Sequence, residues 1–169
     1  MKRVLNLSLF YGLLAGGLYF LFFLLMYFTI ENPLKDKVSP LGLQVIVILF
    51  GVWYFKRKNQ GYLHFYEGFT IGLVGNLLAS LLSGLLIFAF LEIVDIRPFT
   101  TWISESIAFL IADRPSKKEI MSDEAFEKML ASLKNSTTSS VIFDRLMASF
   151  WAIFPIGLFC MAMRKVKPS

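Results

Sequence analysis

Few side chains in this sequence could carry out chemistry, and they are spread thinly along the chain. The single histidine, His64, and the single cysteine, Cys160, are too few to build a metal centre. Glu67 follows His64 by three residues, so the two could exchange a proton, although an interfacial aromatic beside a solvated carboxylate is the simpler interpretation. No nucleophile with a base, catalytic carboxylate pair or phosphate-binding glycine loop is recognisable. The sequence therefore predicts a protein that is not an enzyme and that uses no metal or cofactor.

Four long stretches without a charged side chain surround these residues. They are Val4 to Ile30, Val38 to Phe55, Gly68 to Leu91 and Leu146 to Met163. A helix of about 20 residues crosses the bilayer core of about 30 Å. We therefore expect an all-α integral membrane four-helix bundle. Its single domain covers residues 1–169, with spans at about 5–30, 39–55, 67–93 and 142–163.

Basic residues predict the orientation of the bundle. They cluster before span one, between spans two and three, and after span four, at Lys2, Arg3, Lys56, Arg57, Lys58, Arg164, Lys165 and Lys167. The loop after span three carries slightly more acids than bases. The positive-inside rule then predicts a bacterial inner-membrane protein with both termini cytoplasmic. The net charge of +5 indicates anionic lipid headgroups as partners and not nucleic acid, with headgroup contacts at Lys56, Arg57, Lys58, Arg164 and Lys165.

Two further features concern single spans. Span one follows Met1-Lys2-Arg3 but exceeds the roughly 7–15 residues of a signal-peptide core, so we expect it to remain uncleaved. Pro155 lies inside span four and predicts a kink there, because it lacks a backbone N–H.

Small residues in spans one and three predict close helix packing, since they let two backbones approach. Span one carries Gly12 and Gly16 at GxxxG spacing. Span three presents small or polar residues along one side, namely Gly68, Gly72, Gly75, Asn76, Ala79 and Ser83. The neighbour of this face is either another span or a second copy of the chain.

The polar residues of the spans predict structural hydrogen bonds. Asn76 is the most deeply placed strongly polar residue, and Gln44 lies nearer a span end. We expect the Asn76 amide to bond across helices to Ser149, or locally to Ser80. Arg145 is expected at the outer mouth of span four, against headgroups or neighbouring side chains, which leaves the span interiors without ionisable residues.

The insertion between spans three and four predicts two external helices. Residues 99–112 are mostly apolar and too short to span, so an interfacial or re-entrant helix is expected. Residues 116–135 predict an amphipathic helix, with capping-box spacing at Ser116 and Glu119 and a second start signal at Ser122. The candidate surface for lipid or a partner comprises Trp102, Phe126, Met129, Leu130 and Leu133.

Several segments together suggest a family. A basic turn, Lys56-Arg57-Lys58, leads into Gly61 to Gly72, and a polar segment, Met121 to Met129, precedes a last span and a short basic tail. In these features the chain resembles a bacterial family of small four-span inner-membrane proteins, catalogued only as a domain of unknown function. The resemblance implies the fold and brings no catalytic residue or substrate.

The function these features favour is that of a structural or accessory scaffold. It would present an extracytoplasmic amphipathic helix to lipid or to another membrane or envelope protein. The alternative is a small transporter or channel subunit acting as a homo-oligomer, which the lack of ionisable residues in the spans disfavours.

Overall fold

The computed structural model describes residues 2–36, 38–114 and 122–166. Its helices are α1 (Lys2–Thr29), α2 (Val38–Lys58), α3 (Phe65–Ile93), α4 (Arg97–Ala112), α5 (Asp123–Lys134) and α6 (Ser140–Met163). The fold is all-α, as the sequence predicts. The start of the predicted 116–135 helix, with Ser116 and Glu119, lies outside the described residues, as does Lys167.

Within the described residues, α1, α2, α3 and α6 are long and apolar enough to cross a membrane. They pack around α3, which contacts the other three. Helix α2 continues beyond the expected end of span two at residue 55, through Lys56, Arg57 and Lys58. Three cations in the last turn of a helix are favourable, since that end carries partial negative charge.

The turn from α2 to α3 and the chain after α6 meet at one end of the bundle, here called the basic end. Gln60 and Gly61 adopt positive φ angles of 55° and 83°, which reverses the chain direction. The backbone N–H of Leu63 donates to the Lys165 carbonyl at 2.8 Å, and that of Lys165 donates to the Leu63 carbonyl at 3.0 Å. This pairing fixes the basic tail against the turn.

Helices α4 and α5 form a hairpin at the opposite end, here called the hairpin end. Three links fasten the α3–α4 region to the end of α1 and the loop after it. Tyr27 Oη donates to Asp95 Oδ2 at 2.6 Å, and Asn32 Nδ2 donates to the Pro98 carbonyl at 3.2 Å. Lys35 Nζ lies 2.7 Å from a Glu105 carboxylate oxygen.

Asp95 is held as an anion at this junction. Arg97 Nε lies 2.9 Å from Asp95 Oδ1. The hydrogen bonds from Arg97 and Tyr27 keep the pKa of Asp95 well below its usual range. The junction therefore depends on a charged carboxylate.

Candidate functional site: a polar cluster inside the bundle

The interface between α1 and α3 is a seam of small residues, here called the glycine seam. A Cβ atom added to Gly12 would lie 2.8 Å from the Gly75 carbonyl oxygen, and one added to Gly16 would lie 2.8 Å from that of Ala79. Both distances are shorter than real contacts allow, so these positions require glycine. Both helices of the seam belong to the same chain. Of the two neighbours expected for the small face of α3, another span or a second copy, the structure therefore shows another span.

The same row of small residues on α3 also faces α6. A Cβ added to Gly68 would meet Cys160 Sγ at 3.2 Å, and one added to Gly72 would collide with Ile156 Cγ2. Ser83 is fully buried, and the adjacent Gly84 lies against Ile142. The predicted small face is therefore divided between two neighbours of α3.

A hydrogen-bonded group, here called the polar cluster, joins α2, α3 and α6. It consists of Gln44, Asn76, Ser80, Ser83, Arg145 and Ser149, all buried. Asn76 Nδ2 donates to the Ser149 carbonyl at 2.8 Å, whereas the sequence alone left Ser149 and Ser80 as alternatives. Gln44 Nε2 donates to Asn76 Oδ1 at 2.7 Å and to Ser80 Oγ at 3.0 Å.

Gln44 is therefore buried inside the bundle, although it lies near a predicted span end. Its side chain has no exposed surface, because α2 leans this face against α3 and α6. Its Oε1 atom is left to accept from a third helix. One buried amide thus connects three helices.

Of the two partners expected for Arg145, headgroups or neighbouring side chains, the structure shows neighbouring side chains. Helix α6 begins at Ser140, so Arg145 is already more than one turn inside, and it is only 3% exposed. Its Nη2 donates to Gln44 Oε1 at 2.9 Å, and its Nε lies 3.4 Å from Ser83 Oγ. The guanidinium carbon lies 3.6 Å from the centre of the Tyr19 ring, a cation–π contact.

The spacing of residues in α6 could have revealed this burial. Arg145 belongs to a row at intervals of three and four residues, all buried: Val141, Arg145, Ser149, Ala152, Ile156 and Cys160. Such spacing is typical of the inward face of a helix. The predicted span at 142–163 includes Arg145, but the uncharged stretch within it, Leu146 to Met163, begins only after this residue.

A small cavity of about 30 Å³ adjoins Arg145. Helices α1 and α6 supply part of its lining through Tyr19, Ser140 and Val141, and Asp36 and Asp144 also line it. The Nη1 atom of Arg145 is buried and has no hydrogen-bond acceptor among the described residues. The cluster thus combines a buried cation, one unsatisfied donor and nearby space.

The predicted headgroup contacts lie at the basic end. Arg57 stacks over Trp53, Lys58 over Tyr54 and Lys165 over Tyr62, at 5.5, 5.5 and 5.8 Å from the ring centres. These three cations and Arg164 are exposed, and Lys56 is half-buried. Glu67 accepts a hydrogen bond from the backbone N–H of His64 at 3.0 Å, so this carboxylate caps α3.

The predicted lipid or partner surface is distributed over the hairpin. Phe126 is buried, with Arg114 stacked 4.8 Å from its ring centre. Met129 is 44% exposed. A groove of about 420 Å³ runs between α4 and α5, lined by Lys35, Trp102, Glu105, Ser106, Phe109, Leu110, Met129 and Leu133. Leu130 is partly buried and does not line the groove.

The described residues contain no group of three or more His, Cys, Asp or Glu side chains able to hold a metal ion. Hydrogen bonding and electrostatics are the chemistry that the polar cluster itself offers.

Comparison with family models places the chain in one family. Residues 10–163 match the family described as "Protein of unknown function (DUF4199)", and the chain belongs to it. Neither the curated proteins nor the solved structures gave a match.

Proposed function

We propose that this member of the DUF4199 family is a membrane scaffold that holds the α4–α5 hairpin at the extracytoplasmic surface. The observation that carries the proposal is the anchoring of an apolar hairpin surface to a membrane bundle. Three polar links tie the α3–α4 region to α1 and the following loop. Phe109 on α4 nevertheless stays 69% exposed. A fixed hairpin with an exposed aromatic side chain is suited to contact something outside the bundle.

Lipid is the partner that this exposed surface of α4 favours. The chain between the end of α3 and α4 exposes Ile93 (82%) and Val94 (66%), and the end of α4 exposes Ile111 (54%). These exposed side chains extend an apolar surface from the end of the spanning helix α3 to α4. Apolar side chains beside aromatic ones are typical of helices at the headgroup level.

Helix α5 has a different outer face. Lys128 and Glu124 form an exposed ion pair at 2.7 Å, and Ser122 caps the helix by accepting from the Ala125 N–H. This polar face suits an aqueous position. The scaffold proposal therefore assigns α4 to the membrane interface and α5 to the side facing water.

Spin labels in nanodiscs would test this assignment. A label at Phe109→Cys should be reached by lipid-soluble oxygen, and a label at Lys128→Cys should be reached by a water-soluble nickel reagent. Cys160→Ala supplies a cysteine-free background, because Cys160 is the only native cysteine. A label at Phe109 with the aqueous accessibility of the Lys128 control would contradict lipid contact by α4.

A transporter or channel subunit is the second candidate, and the buried guanidinium of Arg145 favours it. Ionisable residues inside a membrane protein often mark a pathway. Toward the basic end, however, the cluster meets tightly buried apolar side chains, including Ile71, Ile156 and Val52. Flux of small ions into proteoliposomes, lost in Arg145→Met, would support this candidate over a purely structural scaffold.

A further inference from the structure

The guanidinium of Arg145 is not fully hydrogen-bonded within the described part of the bundle. An arginine carries five N–H donors in a rigid fork. Gln44 Oε1 and Ser83 Oγ accept from Nη2 and Nε. Nη1 is buried and unsatisfied within the described residues. A buried donor without an acceptor is costly, so this atom calls for an acceptor from outside the helices.

The guanidinium of Arg145 also forms no ion pair within 4 Å among the described residues, although the charge of the adjacent Asp144 attracts it. Ion pairs among the described residues involve Lys35, Arg97, Arg114 and Lys128, and none involves Arg145. Its hydrogen-bond acceptors are a neutral amide and a neutral hydroxyl. A buried cation is normally paired, because its removal from water is expensive. An anion would supply an acceptor for Nη1 and a negative charge in direct contact with the guanidinium.

The space beside Arg145 limits the size of such an anion. The adjoining cavity measures about 30 Å³, and one water-sized atom needs roughly 10–15 Å³ by the same measure. There is room for a monatomic ion and not for a phosphate or an organic acid. Ser140 and Val141, in the first turn of α6, line the same cavity, and a helix N-terminus favours negative charge.

Two acidic residues line this cavity as well and would weaken an anion site. Asp36 accepts hydrogen bonds from the Val38 and Ser39 N–H groups, both at 3.1 Å. Hydrogen bonding to Ser39 lowers the pKa of Asp36, so this carboxylate is a firmly ionised group at the start of α2. Asp144 lies beside Arg145 in the sequence. We therefore expect a weak and reversible site.

We propose that a single halide ion, of chloride size, binds in this cavity against Nη1 of Arg145. This binding goes beyond the scaffold function, because it does not depend on what the hairpin contacts.

Thermal unfolding of the full chain in nanodiscs tests the proposal. Sodium chloride is compared with sodium gluconate at equal ionic strength, since gluconate is too large for the cavity. A ligand that binds only the folded state stabilises it, so chloride well above its dissociation constant should raise Tm by about 3–5 °C. Arg145→Met should abolish this difference. Arg57→Met removes the same charge at the exposed basic end and should retain it.

Two results would overturn the proposal. One is an equal Tm of the wild-type protein in chloride and gluconate, which indicates that water alone fills the cavity. The other is a chloride effect that survives in Arg145→Met.

A second measurement does not require the Arg145 variant to fold. Chlorine-35 NMR of chloride with the wild-type protein should show a broadened chloride line. Added bromide should remove this broadening by competition. Arg57→Met should broaden the line to the same extent, which separates the cavity from surface cations. Absence of displaceable broadening, or its loss in Arg57→Met, would count against the site.

Discussion

The glycine seam and the polar cluster lie against the same helix and hold it by different means. In the glycine seam, backbones touch and no side chain intervenes between Gly16 and Ala79. In the polar cluster, the side chain of Gln44 on α2 forms hydrogen bonds with side chains of α3 and α6. Lipid supplies no hydrophobic drive for helix association, so both contacts must provide their own attraction.

The comparison indicates which part of the bundle is built for more than cohesion. The glycine seam is closely packed, and no buried side-chain nitrogen or oxygen of its described residues lacks a hydrogen-bond partner. The polar cluster keeps one unsatisfied nitrogen, Arg145 Nη1, next to a cavity. Packing alone does not require that arrangement, so the polar cluster is the better candidate for binding.

The largest effect is expected from breaking the glycine seam. Gly16→Val should lower the free energy of unfolding by about 2–3 kcal/mol, because its side chain would be forced into the Ala79 backbone. Gly17→Val is the matched control, since a Cβ at Gly17 has nothing within 4 Å. Unfolding in mixed micelles with a denaturing detergent would measure both. Equal destabilisation by the two substitutions would contradict the seam.

A smaller effect is expected from opening the polar cluster. Asn76→Leu removes one of the two side-chain acceptors of Gln44 Nε2, leaving Ser80, and removes the donor to the Ser149 carbonyl. We expect a loss of about 1–2 kcal/mol in the same assay. Asn6→Leu, at an exposed position of α1, should change stability little. A neutral Asn76→Leu variant would show that the cluster adds nothing to cohesion.

The two regions also differ in how far the sequence predicts them. The GxxxG spacing of Gly12 and Gly16 predicts close packing, since two glycines one turn apart open a groove that admits a second backbone. Asn76 is recognisable as a buried amide because it stands alone in an uncharged stretch. Arg145 is recognisable only from the inward spacing it shares with other residues of α6, because its charge taken alone favours water. Gln44 is not recognisable, because a position near a span end favours water until the tilt of α2 is known. The cavity depends on loop residues such as Asp36, and no local pattern predicts their position.

Acid should loosen the hairpin before it affects either interface. Asp95 has a lowered pKa in the folded protein, so its ionised form contributes stability that is fully present above the unfolded pKa of about 3.9 and declines as pH falls toward the folded value. We expect faster amide hydrogen exchange in α4 below about pH 4, after correction for intrinsic rates. Asp95→Asn should show the faster exchange already at neutral pH. An unchanged exchange rate in that variant would show that the junction does not hold the hairpin.

The smallest effect is expected on the outer face of α5. Lys128→Ala breaks an exposed ion pair with Glu124, and such pairs contribute about 0.3–0.5 kcal/mol. The thermal midpoint should shift by about 1–2 °C at most. A larger loss would mean that this face is packed against something, contrary to its assignment to water.

The central claim is that Arg145 lies inside the bundle and bonds to Gln44, and a double-mutant cycle tests it most directly. Unfolding free energies of the wild-type protein, Arg145→Met, Gln44→Leu and the double variant give the coupling between the two side chains. We predict a coupling of about 1–2 kcal/mol, because Gln44→Leu should cost more when the guanidinium it satisfies is present. Effects that add to within about 0.5 kcal/mol would place Arg145 away from Gln44 and contradict the account.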